Sequence, residues 1–345
     1  MASSLTILVV VVVLALAFDY INGFHDTANA VATVVSTNVL PGRTAVLLAA
    51  ICNFVGAFLG VGVAKTIGGD IADPNSITQP VIAAALLGAI AWNLLTWYFG
   101  IPSSSSHALI GGLIGSIWCF RVLSDHPAGA SFAALIQSKG VMLTLKALVI
   151  SPLVGLASGF ILMAILLWLV RRFTSSQVNR GFRTLQLGSA GVMALSHGSN
   201  DAQKSMGIIT MALASYAATQ GEKPDLTVPV WVIVACATAM ALGTASGGWR
   251  IMKTMGHRII KLRPINGFAA ETAAATTILI ATWLKAPVST THVISSSIMG
   301  VGASKRVSAV RWGVAGNILI AWVLTIPISA LVAALLFWAI HGLVM

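Results

Sequence analysis

The sequence predicts an all-α polytopic membrane protein, built as inverted-topology repeats with broken helices and re-entrant hairpins. Three observations lead there. Hydrophobic residues make up 57% of the chain and charged ones only 8%, against about 25% charged in a soluble domain, too little polar surface to coat a water-facing globule. Apolar runs fill most of the length, each long enough for a crossing of about 20 residues. Two polar motifs also recur in the same order in both halves. The net charge of +11 sits in short loops between apolar runs, where it reports membrane orientation rather than a nucleic-acid partner.

The apolar runs span 5–38, 44–67, 80–120, 141–170, 184–216, 229–248, 265–303 and 312–341. No Lys or Arg precedes the first run. Despite Ala15-Leu16-Ala17, it is therefore expected to remain a span and not a cleaved signal peptide. Runs 5–38 and 184–216 enclose polar clusters and are expected to break there. Runs 80–120 and 265–303 are too long for one crossing and carry an internal Pro-plus-hydroxyl stretch. Each reads as a crossing followed by a shorter returning helix. Cys52, Cys119 and Cys236 lie in apolar surroundings without metal-ligand spacing and read as core.

Charge sets the orientation. Arg171, Arg172, Arg180 and Arg183 share one loop. Arg250, Lys253, Arg258, Lys261 and Arg263 share a second, and Lys305, Arg306 and Arg311 a third. Asp70, Asp73, Asp125, Glu222 and Asp225 fall in other loops. The basic loops are expected in the cytoplasm and the acidic ones outside. Counting crossings from 171–183 closes without contradiction and puts both termini outside. The chain divides into a first repeat (1–170), a short basic linker (171–183) and a second repeat (184–345).

Gly23-Phe24-His25-Asp26-Thr27-Ala28-Asn29 matches Gly198-Ser199-Asn200-Asp201-Ala202-Gln203-Lys204, and Pro102-Ser103-Ser104-Ser105-Ser106-His107 matches Pro287-Val288-Ser289-Thr290-Thr291-His292. The crossing count gives the two copies opposite orientations, as in transporters that alternate access around a midplane site. Asp26 and Asp201 lie inside apolar runs, where ionisable groups are costly and mark function. Lys204, one turn from Asp201, is a candidate partner for it. Helices starting at Ser103, Ser104, Ser105, Ser106 or at Ser289, Thr290, Thr291 present free backbone N–H groups and hydroxyls to an oxyanion. Two carboxylates beside an oxyanion cannot all stay ionised and unpaired, so co-bound H+ or Na+ is expected. Asn22, Asn29, Asn200 and Gln203 offer amide ligands, and Glu271 is a further coupling candidate. His107 and His292 read equally as packing or proton-carrying groups. A hydrolase built on Ser106, His107 and Asp26 is the competing class. Adjacent Ser and His do not face each other on a helix, and one activated serine is needed rather than two matched clusters.

At Asn22–Ala30, Ser196–Lys204, Gly267–Glu271 and Pro287–His292 the chain resembles the inorganic phosphate transporter (PiT) family, bacterial type. The resemblance spans both halves. It implies a secondary transporter, not an enzyme, importing inorganic phosphate, alone or as a metal–phosphate complex, by symport with protons or sodium. It implies no cofactor, a multi-pass protein of the bacterial inner membrane, and a homodimer. As substrate ligands it implicates Asp26, Thr27, Asn29, Ser103 to Ser106, Asn200, Asp201, Gln203, Ser289, Thr290 and Thr291. As coupling groups it implicates Asn22, His25, Asp26, Asn200, Asp201 and Glu271. His25 and the Gln203-Lys204 pair depart from the sodium-coupled pattern and favour protons. Sulfate is the alternative substrate.

Overall fold

The computed structural model describes residues 4–70, 77–124 and 135–344. These residues form helices joined by short connections, with no strand among them. The helices are α1 (Ser4–Ser36), α2 (Gly42–Gly56), α3 (Gly62–Asp70), α4 (Gln79–Phe99), α5 (Ser105–Leu123), α6 (Lys139–Leu169), α7 (Ser175–Thr219), α8 (Val230–Ser246), α9 (Trp249–Lys253), α10 (Pro264–Trp283), α11 (Thr290–Ala303) and α12 (Trp312–Val344). A π-helical turn, Thr254–Arg258, continues α9. By length and composition α1, α4, α5, α6 and α12 can each cross a membrane, and α8 with α9 and its π turn, bent by 58°, passes the same test only as a pair. α7 and α10 are long enough, but the polar residues they carry into the interior dilute their apolar character. The protein is a multi-pass membrane protein.

α1 and α7 lie side by side and antiparallel. Gln220 at the end of α7 reaches Ser4 at the start of α1 (3.4 Å), while Arg183 near the start of α7 donates to the Asn38 carbonyl beyond the end of α1 (2.7 Å). Buried apolar residues fall into two clusters. One takes Leu8 to Phe18 of α1 and Ala202 to Ala212 of α7. The other takes Ala28 to Val34 and Phe182 to Ala194. Asp26 and Asp201 sit between them, so a polar belt crosses the molecule halfway along both helices.

The breaks are not where the polar clusters suggested. α1 and α7 run unbroken through Asp26 and Asp201. Run 44–67 is the one that divides, into α2 and α3, and α8 bends by 58° into α9 and its π turn at Gly247–Gly248. The hairpins follow expectation: α4 is separated from α5 by 100–104, and α10 from α11 by 284–289. α7 starts at Ser175 behind a Thr174–Gln177 capping box, taking up most of the linker expected at 171–183. The three basic loops converge on one end. Arg171, Arg263 and Lys305 line one groove, and Lys261, Arg306 and Arg311 line its neighbour. Asp73 and Asp125 lie outside the described residues.

Corresponding helices pack across the halves. Gly23 of α1 meets Gly243 of α8, and Gly198 of α7 meets the chain at Asn53 of α2, so closely that a Cβ at either glycine would overlap a backbone carbonyl. α5 packs on α12 and α11 on α6, and both supporting helices carry an internal proline, Pro152 and Pro327. A third matched motif also emerges. Val63-Ala64-Lys65-Thr66-Ile67-Gly68 and Ile251-Met252-Lys253-Thr254-Met255-Gly256 follow the two breaks. Thr66 donates to the Lys285 carbonyl (3.0 Å) and Thr254 to the Gly100 carbonyl (2.8 Å). Gly100 and Lys285 both adopt positive φ, 66° and 59°, as required where the leading helix of each hairpin ends.

Candidate functional site

The site forms where the middles of α1 and α7 meet the starts of α5 and α11. Ser104 and Ser289 cap those two helices, each side chain accepting from the backbone N–H of the histidine three residues on (3.3 and 3.2 Å). The next two residues of each helix, Ser105 and Ser106 or Thr290 and Thr291, have N–H groups with no intrahelical acceptor, at the positive end of the helix dipole. The two hairpins touch: the Ser106 hydroxyl donates to the Val288 carbonyl (3.4 Å), and the His107 and His292 rings lie 4.7 Å apart.

Charged side chains fill the space between. Lys204 is almost wholly buried and reaches three groups from three elements: Asp201 at 2.5 Å, the Val288 carbonyl at 3.1 Å and the Ser106 hydroxyl. Asp201 also accepts from Thr290 (3.1 Å) and lies 3.4 Å from His197. Asp26 is held by His25 (2.6 Å) and accepts from Thr291 (3.3 Å). Asn29, at the position matching Lys204, donates to Thr291 (2.9 Å) and Thr290 (3.4 Å). The three acid–base contacts within 4 Å among the described residues are all here. Ligand atoms of Asp26, His197 and Asp201 lie within 4.8 Å of one another, close enough to share a cation. No site side chain exposes more than the 5% of Ser106. The described surface grooves contain none of these acids.

The chemistry follows from the donor set. Lys204 supplies a fixed positive charge, and Asn29, Thr290, Thr291, Ser106 and two helix starts supply hydrogen-bond donors, which together suit a compact oxyanion. The phosphate transporter family model matches residues 22–333, almost the whole chain. The chain belongs to the phosphate transporter family. It is 51% identical to a probable low-affinity inorganic phosphate transporter of Bacillus subtilis (strain 168), with 98% of each chain aligned. It is 50% identical to the protein of the same description in Rhizobium meliloti (strain 1021), with 96% of each aligned. A solved structure described as "The sodium-dependent phosphate transporter" shares its fold, with a TM-score of 0.82 at 23% identity over 99% of this chain and 100% of that one. The family and these relatives are transporters, not enzymes. The hydrolase reading falls with that, and Ser106 is engaged by Lys204 and Val288 rather than activated by a base.

Not every residue singled out in this phosphate transporter family member reaches the centre. Thr27 turns back on the helix and its neighbour, donating to the carbonyls of Gly23 (2.7 Å) and Thr244 (3.2 Å). Gln203 points to the α2–α3 break, where its side-chain oxygen accepts from the N–H groups of Val63 (2.8 Å) and Ala64 (3.3 Å) and so caps α3. Thr27 and Gln203 therefore make these bonds to backbone groups away from the two acids, their helical positions lying off the face that Asp26 and Asp201 share. His25 and Asn200 are equivalent positions and brace opposite hairpins: His25 meets Thr96 at 3.1 Å, and Asn200 donates to Thr282 at 2.9 Å. Ser103 bonds Thr96 (2.8 Å) within its own hairpin. Ser105 and Asn22 are buried, with polar side-chain atoms that have no hydrogen-bond partner.

Glu271 forms a separate cluster toward the basic end, where Thr33 (2.6 Å), Gln186 (2.9 Å) and Ser189 donate to it. Gln186, Ser189 and Asn53 escaped sequence reasoning, since single polar residues in an apolar run carry no spacing signal; His197 lay inside the Ser196–Lys204 motif but was not singled out. The Lys-Thr motif after each break was detectable as a third repeated pair.

Proposed function

We propose that the chain imports inorganic phosphate across a bacterial inner membrane as a secondary transporter coupled to protons. The observation that carries this reading is the buried Lys204 ammonium, set between two acids and two hydroxyl-bearing helix starts. A phosphate arriving there takes Lys204, Ser106, Thr290, Thr291 and Asn29 as donors. Its own ionisable hydroxyl can face Asp26 or Asp201, which a fully ionised sulfate cannot match at neutral pH. Both acids already hold basic partners, Lys204 and His25, which a sodium ion seated between the acids would have to displace.

The two halves act as inverted repeats in this reading. The antiparallel α1 and α7 and the hairpins of both halves enclose one central site that opens alternately to each face. A homodimer is the expected assembly. A co-bound cation, Na+ or the divalent ion of a metal–phosphate complex, is the second reading. It draws on the Asp26, His197 and Asp201 cluster and on the sodium dependence of the transporter whose solved structure shares this fold. Uptake of labelled phosphate and labelled sulfate into proteoliposomes under imposed pH or sodium gradients tests both. Phosphate accumulation driven by the pH gradient is expected. Sulfate-only uptake overturns the substrate, and uptake driven by sodium alone overturns the coupling ion.

A further inference from the structure

Two turns from Asp26, on the side of α1 away from the basic end, lies an acid that the site does not use. Asp19 is completely buried, and neither carboxylate oxygen has a hydrogen-bond partner. Its polar neighbours are Ser205 of α7 and Cys236 of α8. The Ser205 hydroxyl is itself fully buried and without a partner. The charged groups acting on Asp19 are Asp201 and Lys204, both on α7. Glu271 takes the mirrored place on the other side of the site, since its partner Thr33 is two turns beyond Asp26 on the same helix. Asp19 and Asp26 lie seven residues apart on α1, about 10 Å of helix, and Glu271 of α10 contacts the same helix at Thr33, seven residues beyond Asp26.

We propose that Asp19, with Ser205 and Cys236, is a separate proton-binding site on the outer side of the phosphate site. This inference rests on the proton-coupled reading above. A buried carboxylate with no ion pair, and only a hydroxyl and a thiol beside it, is costly to keep as an anion, and taking up a proton removes the cost. Binding turns the carboxylate into a neutral acid, whose O–H can donate to Ser205. Lys204 links the two ligands. While its ammonium is uncovered, it favours the Asp19 anion; a phosphate on Lys204 cancels that field, so phosphate and proton each promote binding of the other.

Asp19→Asn in proteoliposomes is the test, with pH-gradient-driven phosphate accumulation compared against phosphate counterflow without a gradient. The ratio of driven to exchange uptake is expected to fall about tenfold, the size of an ordinary coupling between two sites. An unchanged ratio in D19N, with the unaltered protein driven by the pH gradient, overturns the Asp19 site alone. An unaltered protein that ignores the pH gradient overturns the proton reading and this site with it. Infrared difference spectra provide a readout independent of transport, a protonated-carboxyl band present in the unaltered protein and missing in D19N; no change in that band counts against the site. If D19N does not fold, Ser205→Ala, which removes only the facing hydroxyl, is expected to move the pH midpoint of uptake, and an unmoved midpoint overturns the proposal.

Discussion

Lys204 is the residue on which the most depends, because it neutralises Asp201 and, among the described residues, offers the only full positive charge paired with an acid apart from the histidines. Lys204→Met is expected to abolish phosphate uptake. It also leaves Asp201 buried without its cation, which costs about 3–5 kcal/mol, so loss of uptake alone would not separate binding from folding. The double variant K204M/D201N removes both charges together. It is expected to regain most of the thermal stability while staying inactive, and a double variant that transports would remove Lys204 from the site. Thr291 and Thr27 give a cleaner contrast. Thr291→Val takes a donor from the Asp26 and Asn29 network, whereas Thr27→Val removes bonds only to backbone carbonyls, of Gly23 on its own helix and Thr244 on α8. Phosphate KM is expected to rise strongly in T291V and to stay near its original value in T27V, with equal effects counting against the geometry.

At the scale of elements, α3 depends on a neighbour for its start. Its first amides are bonded by the Gln203 side chain from α7, so Gln203→Leu is expected to cost about 1–2 kcal/mol, as for a lost helix cap. Melting temperature in detergent should drop while phosphate KM changes little; a large KM change with unaltered melting would restore Gln203 as a ligand. This element also shows where sequence reading reaches its limit. The hairpins were legible because Pro102 and Pro287 precede hydroxyl clusters inside runs too long for one crossing. The breaks were misplaced because a polar cluster in an apolar run suggests unwinding. In α1 and α7 the backbone stays helical, with Asp26 and Asp201 held by His25, Lys204 and the hydroxyls at the start of α11. The true breaks fall in weakly polar stretches, 57–61 and Gly247–Gly248, where only glycine and the following Lys-Thr pair mark them. Thr27 and Gln203 were assigned by motif membership, whereas a helix presents only every third or fourth residue to one face.

For the whole molecule, the expected sidedness in the membrane follows from the placement of charge. α7 has 45 residues, about 67 Å of helix at 1.5 Å per residue, more than twice the ~30 Å hydrocarbon core. Its two ends therefore report opposite faces, with Asp201 between them. The starting end joins the face where Arg171, Arg183, Arg263, Lys305 and Arg311 converge. The finishing end leads to Glu222 and Asp225. By the positive-inside rule the basic loops are expected in the cytoplasm, which would put Asp19 on the outer side of the site, the side from which the proposed proton coupling would load it. In a background with Cys52, Cys119 and Cys236 replaced, Glu222→Cys is expected to react with a membrane-impermeant maleimide on intact cells. Asn179→Cys is expected to react only after permeabilisation. Both positions are exposed in the structure, so a silent N179C on intact cells reports sidedness, not burial. The reverse pattern would leave the phosphate site intact but turn Asp19 toward the cytoplasm, where it could no longer load protons for import.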